Sequence, residues 1–313
     1  MKDIAILLAT YNGEKYLWQQ LNSLFSQTMQ NFRLVIHDDG STDNTAEIIN
    51  EYREKYPDRV EVFYGHSCGG PKENFLWMLG RVEADYYLFC DQDDVWLPNK
   101  MKKTYDAIRE LEKHSYDLAP LACFCDMFVT DSSLNVIHKS FIKSIGRSIT
   151  HTKYSQILID NPAAGCCLCI NRFCRDKALT ISNRKNVEMH DVWCLMVAAV
   201  FGRVCTVDEP LSLYRQHDKN EMGAVHENLG EKITRNSCDA LSGNLSSEKE
   251  KFRRQKFLLA QEILKLGDVP GEIRECLESF IHPEDQSRIA RILFLWKNDF
   301  NRRDHSIWLW FWL

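Results

Sequence analysis

The sequence predicts an α/β fold, a mostly parallel sheet with flanking helices, followed by a C-terminal helical extension. Three observations carry this reading. Over residues 1–120, short apolar runs alternate with segments of helical period, the pattern in which each crossover helix covers one face of a parallel sheet. The turns after the first, second and fourth runs are polar and acidic: TYNGE, DDGSTD and DQDD. From about residue 226 the composition shifts to charged helical segments with few strand signals.

The elements follow in order. IAILLA (4–9) is a continuous apolar run that stops at TYNG and reads as a buried strand with its turn. EKYLWQQLNSLFSQ (14–27) carries Leu17, Leu21, Leu24 and Phe25 at helical spacing. FRLVIHDDGS (32–41) is a second strand, and STDNTAEIINEYREKY (41–56) a helix with Ser or Thr available as its cap. RVEVFYG (59–65), KENFLWMLGRVE (72–83) and DYYLFCD (85–91) continue as strand, helix and strand. Beyond residue 120, CFCDMFVTD (123–131) and AAGCCLCIN (163–171) read as strands. VWCLMVAAVFG (192–202) reads as an apolar helix, and RVCTVDEPLSLYR (203–215) as a strand. EKEKFRRQKFLLAQEILKL (248–266) opens the helical extension, so the predicted division is 1–225 and 226–313. Ligands of open parallel sheets bind outside the carboxyl ends of the strands, and all three polar turns fall on that edge.

Whole-chain properties narrow the function classes. At 313 residues the chain can bury a sizeable core. Apolar content of 44% and charged content of 27% are those of an ordinary soluble protein. A net charge of −5 argues against nucleic acid as a partner. The twelve cysteines lack the paired spacing of zinc sites. The apolar start is too short for a secretory leader, and no stretch reaches bilayer-spanning length. The expectation is a cytoplasmic protein with reduced thiols, or one resting on the inner face of the cell membrane.

The acidic turn carries the chemistry. Asp91 and Asp93 flank Gln92, and carboxylates at i and i+2 of a turn can face one hard cation, Mg²⁺ or Mn²⁺, whose open positions a substrate's phosphates complete. Read alone, the same acids could cap a helix beginning near Pro98.

TYNGEKYLWQQLNSLFSQT, LVIHDDGSTDNT and DQDDVWLPNK, in this order and spacing, resemble the family 2 glycosyltransferases of the GT-A fold. HDVWCLMVAAVFGRV (190–204) and DEPLSLYRQHDKNEMG (208–223) extend the resemblance. HDVW and YRQH are similar to the subset that includes bacterial rhamnosyltransferases of surface polysaccharides.

The resemblance implies a metal-dependent, inverting transfer of a sugar from a UDP- or dTDP-activated donor, dTDP-rhamnose among them, to a saccharide or lipid-linked acceptor. It implies that Ala9, Thr10, Tyr11 and Glu14 lie against the donor nucleotide. It places Asp39 on the N3–H of a uracil or thymine ring, which suits an acceptor-only carboxylate. Asp38, or both acids, could instead simply hold the turn. Asp91 is implied at the ribose and Asp93 at the metal. In CGGPKENF (68–75), where relatives show a Gly-rich stretch ending near Arg-Asn, Lys72 could reach a phosphate or lie in a plain surface loop. The acid at the head of the apolar helix, Asp191, is implied as the base that deprotonates the acceptor. Its rivals are His190, standing where relatives carry a second acid, and a role as helix cap. Arg215 and His217 are implied at the diphosphate and the metal, with Asn220 and Gly223 in a loop that orders on donor binding. The tail SIWLWFWL (306–313), after NRRDH, suits either a membrane–water interface or a packed final helix. A catalytically inactive nucleotide-sugar-binding subunit is the alternative. A nucleotidyltransferase would need a Gly-rich basic loop after the first strand, which TYNGE lacks.

Overall fold

The computed structural model describes residues 3–217 and 244–300. The first half alternates strand and helix: β1 (Ile4–Thr10), α1 (Leu17–Phe25), β2 (Arg33–Asp38), α2 (Thr45–Lys55), β3 (Val60–Phe63), α3 (Pro71–Leu79) and β4 (Tyr86–Cys90). A two-residue strand β5 (Val95–Trp96) and α4 (Lys100–Lys113) follow. Then come β6 (Leu121–Thr130), β7 (Val136–His138), α5 (Phe141–Ser144), α6 (Tyr154–Ile159), β8 (Leu168–Asn171) and α7 (Arg172–Ala178). They lead to α8 (His190–Phe201) and β9 (Arg203–Arg215). After the undescribed interval, α9 (Asn244–Lys265), α10 (Gly271–Ile281) and α11 (Arg288–Lys297) close the described chain.

The strands make one sheet in the order β3-β2-β1-β4-β8-β6-β9-β5, with β7 paired to β6. The β3-β2-β1-β4 half is parallel, and β8 runs antiparallel to both its neighbours. Continuous apolar runs form these strands because the sheet is covered on both faces. Along β1, Ala5 and Leu7 enter one core cluster while Ile4, Ile6 and Leu8 enter the other. In β4, Tyr87 and Phe89 part from Tyr86, Leu88 and Cys90 in the same way. One layer includes α1 and α4; α3, α7, α8 and the C-terminal helices build the opposite one.

The C-terminal helices share the core of the sheet: Leu259, Ile263, Leu277 and Phe280 lie in the same cluster as Trp193 and Leu195 of α8. Lys256 pairs with Glu188, and the buried Glu262 accepts from Ser182, Asn183 and Asn186. The predicted boundary near 226, Asn220, Gly223 and the tail 306–313 lie outside the described residues.

Three sequence expectations need adjustment. Only Leu168–Asn171 of the 163–171 stretch is strand, preceded by a 3-10 turn at Gly165–Cys167. The apolar helix begins at His190, two residues early, with Met189 at its N-cap. The strands β5 and β7 and the short helices α5, α6 and α7 were not foreseen, since none exceeds seven residues and so short a run shows no period. The eleven described cysteines are free thiols, and most are buried as small apolar groups.

Candidate active site

Register brings the three polar turns to one edge. In the parallel ladders Thr10 pairs with Asp38 and Leu8 with Cys90, so the chain leaves β1, β2 and β4 at one level. Hydrogen bonds then lock the first two turns together. Asp38 accepts from Thr10 Oγ1 at 2.9 Å and from Ser41 N at 2.9 Å, which makes it the turn-holding acid. Asn12, in the left-handed region at φ 48°, accepts from Thr42 N, and its own N–H donates to Ser41 Oγ. Glu14 accepts from the main-chain and side-chain nitrogens of Asn44 at 3.0 and 2.6 Å. Its carboxylate thus fastens the first turn to the start of α2. Ala9 is half-buried against the core, while the Tyr11 ring stands 57% exposed at the mouth.

Asp39 is buried, and its carboxylate accepts three backbone N–H groups, from Cys68, Gly69 and Gly70, the last two at 3.1 Å each. Gly69 and Gly70 have φ of 77° and 139°, conformations that favour glycine. The carboxylate is therefore fixed, with about one of its roughly four acceptor positions still unused. Lys72 is committed elsewhere. Its amine donates to the carbonyls of Arg184 and Val187 at 3.1 Å each, holding the segment that leads into α8.

The acidic turn is clasped to the first turn by Gln92, which accepts from Tyr11 N at 2.9 Å and donates to Tyr11 O at 3.0 Å. Gly13 makes room for this clasp, since a Cβ there would meet Gln92 Oε1 at 2.2 Å. Neither residue was singled out from sequence; Gln92 is merely the middle of Asp-x-Asp. Around the turn, burial and mutual repulsion push the Asp91 and Asp94 carboxyls well up from the usual range. The Asp191 charge adds to the shift of Asp91. Two groups oppose it, the Cys166 thiol and the Lys100 ammonium. Lys100 is buried, donating to Cys166 O at 2.6 Å and Ser212 Oγ at 3.2 Å. Its only sequence signal is that it shares the buried stripe of α4 with Met101, Thr104 and Ile108.

Strand β9 pairs antiparallel with β5 and returns the chain to the acidic turn. There His217 Nε2 lies 2.9 Å from Asp93 Oδ2, its ring stacked on Tyr16 at 5.0 Å. Two ligands at about 2.1 Å from one octahedral Mg²⁺-type ion sit about 3 Å apart, so the Asp93–His217 spacing fits a shared cation. Asp91 belongs to a separate grouping on the same turn, with Asp94 and Cys166. The donor set is oxygen and imidazole, which suits Mn²⁺ as well as Mg²⁺. Arg215 stands at the same turn. It is 2% exposed, and its guanidinium donates to Asp93 O, Ser132 O and Gln19 Oε1 at 2.7, 2.6 and 2.5 Å while lying over Tyr16. It braces the acidic turn from behind.

At the head of α8, Asp191 is buried, and Oδ1 accepts the N–H of its neighbour Val192 at 2.7 Å. It is not the N-cap, a position held by Met189. Burial pushes its carboxyl up to about 6. His190 is sealed between Phe75 and Phe89, with ring centroids 4.2 and 4.8 Å away. Burial lowers it to about 3, so it is neutral across the working range. A Cβ at Gly165 would meet its Nε2 at 2.7 Å. Of the two rivals for the base, only Asp191 has a protonation state poised near neutral pH.

Comparisons with known proteins find relatives of this chain. The model of glycosyl transferase family 2 matches residues 5–179. The chain is 28% identical over 233 residues to the dTDP-rhamnosyl transferase RfbG of Shigella flexneri, covering 69% of this chain and 74% of that one. Residues 1–349 of Staphylococcus aureus TarS, solved in complex with UDP-GlcNAc, superpose with a TM-score of 0.60 at 22% identity, over 92% of this chain and 74% of that one. The mannosyltransferase PcManGT of Pyrobaculum calidifontis, in complex with GDP-Man and Mn²⁺, superposes at 0.52 and 12% identity, over 95% and 72%. At these identities the structural likenesses speak for the fold.

Proposed function

Because this chain belongs to glycosyl transferase family 2, we propose that it transfers a sugar with inversion from a UDP- or dTDP-activated donor to a hydroxyl of a saccharide or lipid-linked acceptor. dTDP-rhamnose is the leading donor, on the similarity to a dTDP-rhamnosyl transferase. The observation that carries the mechanism is the placement of Asp191: buried, held up at about 6, and close enough to Asp91 for the two charges to interact. A carboxylate in that position can take the acceptor's hydroxyl proton. The freed oxygen pair bonds the anomeric carbon while the bond to the diphosphate oxygen breaks, and the nucleoside diphosphate leaves with that pair. Such a displacement inverts the anomer.

Each turn has a part in this reading. Asp39, fixed by the Cys68–Gly70 amides, offers its remaining acceptor position to the N3–H of uracil or thymine. Tyr11, exposed beside it, supplies a face for the nucleotide, with Thr10 and Ala9 as the floor. Asp91 takes the ribose. Asp93 and His217 would hold a divalent cation, which neutralises charge on the departing diphosphate when bound. Arg215 and Gln92 keep the acidic turn in register with the first.

The test is turnover of a panel of nucleotide sugars by the purified protein, with chelator and with Mn²⁺, and NMR of the product anomer. Mn²⁺-dependent consumption of a UDP- or dTDP-sugar with an inverted product is expected. A retained anomer would discard the single displacement, and binding without turnover would favour the inactive subunit.

A further inference from the structure

Helix α11 presents two apolar faces where a surface helix needs one. Its inner side is anchored: Leu295 is buried, and Phe294 stacks on Phe300, which stacks in turn on Phe280. Ser287 caps its N-terminus, accepting from Ala290 N at 3.3 Å. On the other side, Ile289, Ile292, Leu293 and Trp296 are all exposed, at 73, 41, 58 and 67%. Their i, i+3, i+4, i+7 spacing at 3.6 residues per turn gathers them into one stripe roughly 100° wide. At the same advance per residue, Arg288 and Lys297 fall on the two flanks of that stripe. A contiguous exposed apolar stripe on a fixed helix marks an interaction surface.

We propose that this face of α11 lies in the interface of an anionic lipid bilayer. Charge selects that occupant. RIARILFLWK contains three basic residues and no acid, within a chain whose net charge is −5. Apolar side chains flanked by cations, with a Trp at the edge, match the headgroup–acyl boundary, where indole rings and basic side chains settle. A second copy of this chain fits less well, because a two-fold contact would set basic helix against basic helix with no acid on either to pair. No helix among the described residues is long and apolar enough to cross a membrane, so the attachment is peripheral. It deepens the proposed transfer by bringing a lipid-linked acceptor toward the protein, yet binding itself requires no donor and is tested without one.

The experiment is co-sedimentation of the full chain with phosphatidylcholine vesicles, with and without phosphatidylglycerol, over a salt series. The variants are Ile289→Ser/Leu293→Ser/Trp296→Ser and Arg288→Gln/Lys297→Gln, checked for unchanged melting temperature and unchanged hydrolysis of free donor. Wild type is expected on phosphatidylglycerol vesicles, weakening with salt. The serine variant should partition at least about ten-fold less, and the glutamine variant should have a shallower salt dependence. Binding by the serine variant equal to wild type would overturn the proposal, as would wild type that ignores anionic vesicles. A wild-type dimer made monomeric by the serine variant in light scattering would reassign the face to self-association.

Discussion

At the scale of single residues, the site separates two acids that the sequence treats alike. Asp93 faces His217 across 2.9 Å at the mouth, whereas Asp191 is buried and accepts the N–H of Val192. Different environments set different tasks. If Asp191 is the base, Asp191→Asn should lose about 10² to 10⁴ in turnover while donor affinity holds, and His190→Ala should leave a base-competent enzyme. A pH profile adds an independent reading. The base works deprotonated, so kcat/KM should fall as pH drops below about 6, and that acid limb should vanish in Asp191→Asn. Turnover in Asp191→Asn close to wild type would remove the assignment. Asp93→Ala should lose the Mn²⁺ response; a variant that turns over equally in chelator and in Mn²⁺ at the wild-type rate would count against the cation site.

At the scale of elements, catalysis depends on turns that are tied to one another. Gln92 hydrogen-bonds both main-chain groups of Tyr11, and Gly13 leaves the space for its side chain. Gly13→Ala should drive Gln92 out of the clasp and cost about 1–2 kcal/mol of stability, the order of two hydrogen bonds near solvent. Donor affinity should fall with it. In a Gln92→Ala background the same Gly13→Ala change should cost far less, since nothing remains to collide; an undiminished cost would mean the clasp is not what Gly13 protects. The strands that build this edge were legible because each is a continuous apolar run stopped by a polar turn, and the acids because three carboxylates in four positions have little structural reason to crowd. What stayed hidden is what has no local pattern. A lysine near a helix start reads as solvated, yet Lys100 is buried beneath the acids. A charged residue near a ligand and one bracing a loop look identical in sequence, so the protein groups that Arg215, Lys72 and Glu14 hold could not be read there. Only the three-dimensional partners distinguish them: carbonyls around Arg215 and Lys72, Asn44 beside Glu14.

At the scale of the whole molecule, the sheet edge stores charge repulsion that a cation or protons can relieve. Asp191 is held up at about 6, and Asp91 and Asp94 move in the same direction from burial and mutual repulsion. A carboxyl whose pKa is higher folded than unfolded holds its proton more tightly in the native state. The stability it contributes is complete below the unfolded value, about 3.9, and is lost as pH rises through the folded one. For Asp191 a rise of about two units is worth up to about 3 kcal/mol. In chelator, the melting temperature should therefore climb as pH is lowered from about 7.5 to about 5.5, before general acid unfolding sets in. Mn²⁺ should raise it more at the upper pH than at the lower, because cation and protons compete for the same carboxylates. Asp94→Asn removes one of the repelling charges while keeping an oxygen to accept the Arg215 N–H now made at 3.2 Å, and should flatten the pH dependence. A melting temperature in chelator that rises with pH over this window would show that these acids are not raised on folding, and the reading of Asp191 as a base tuned by burial would fall with it.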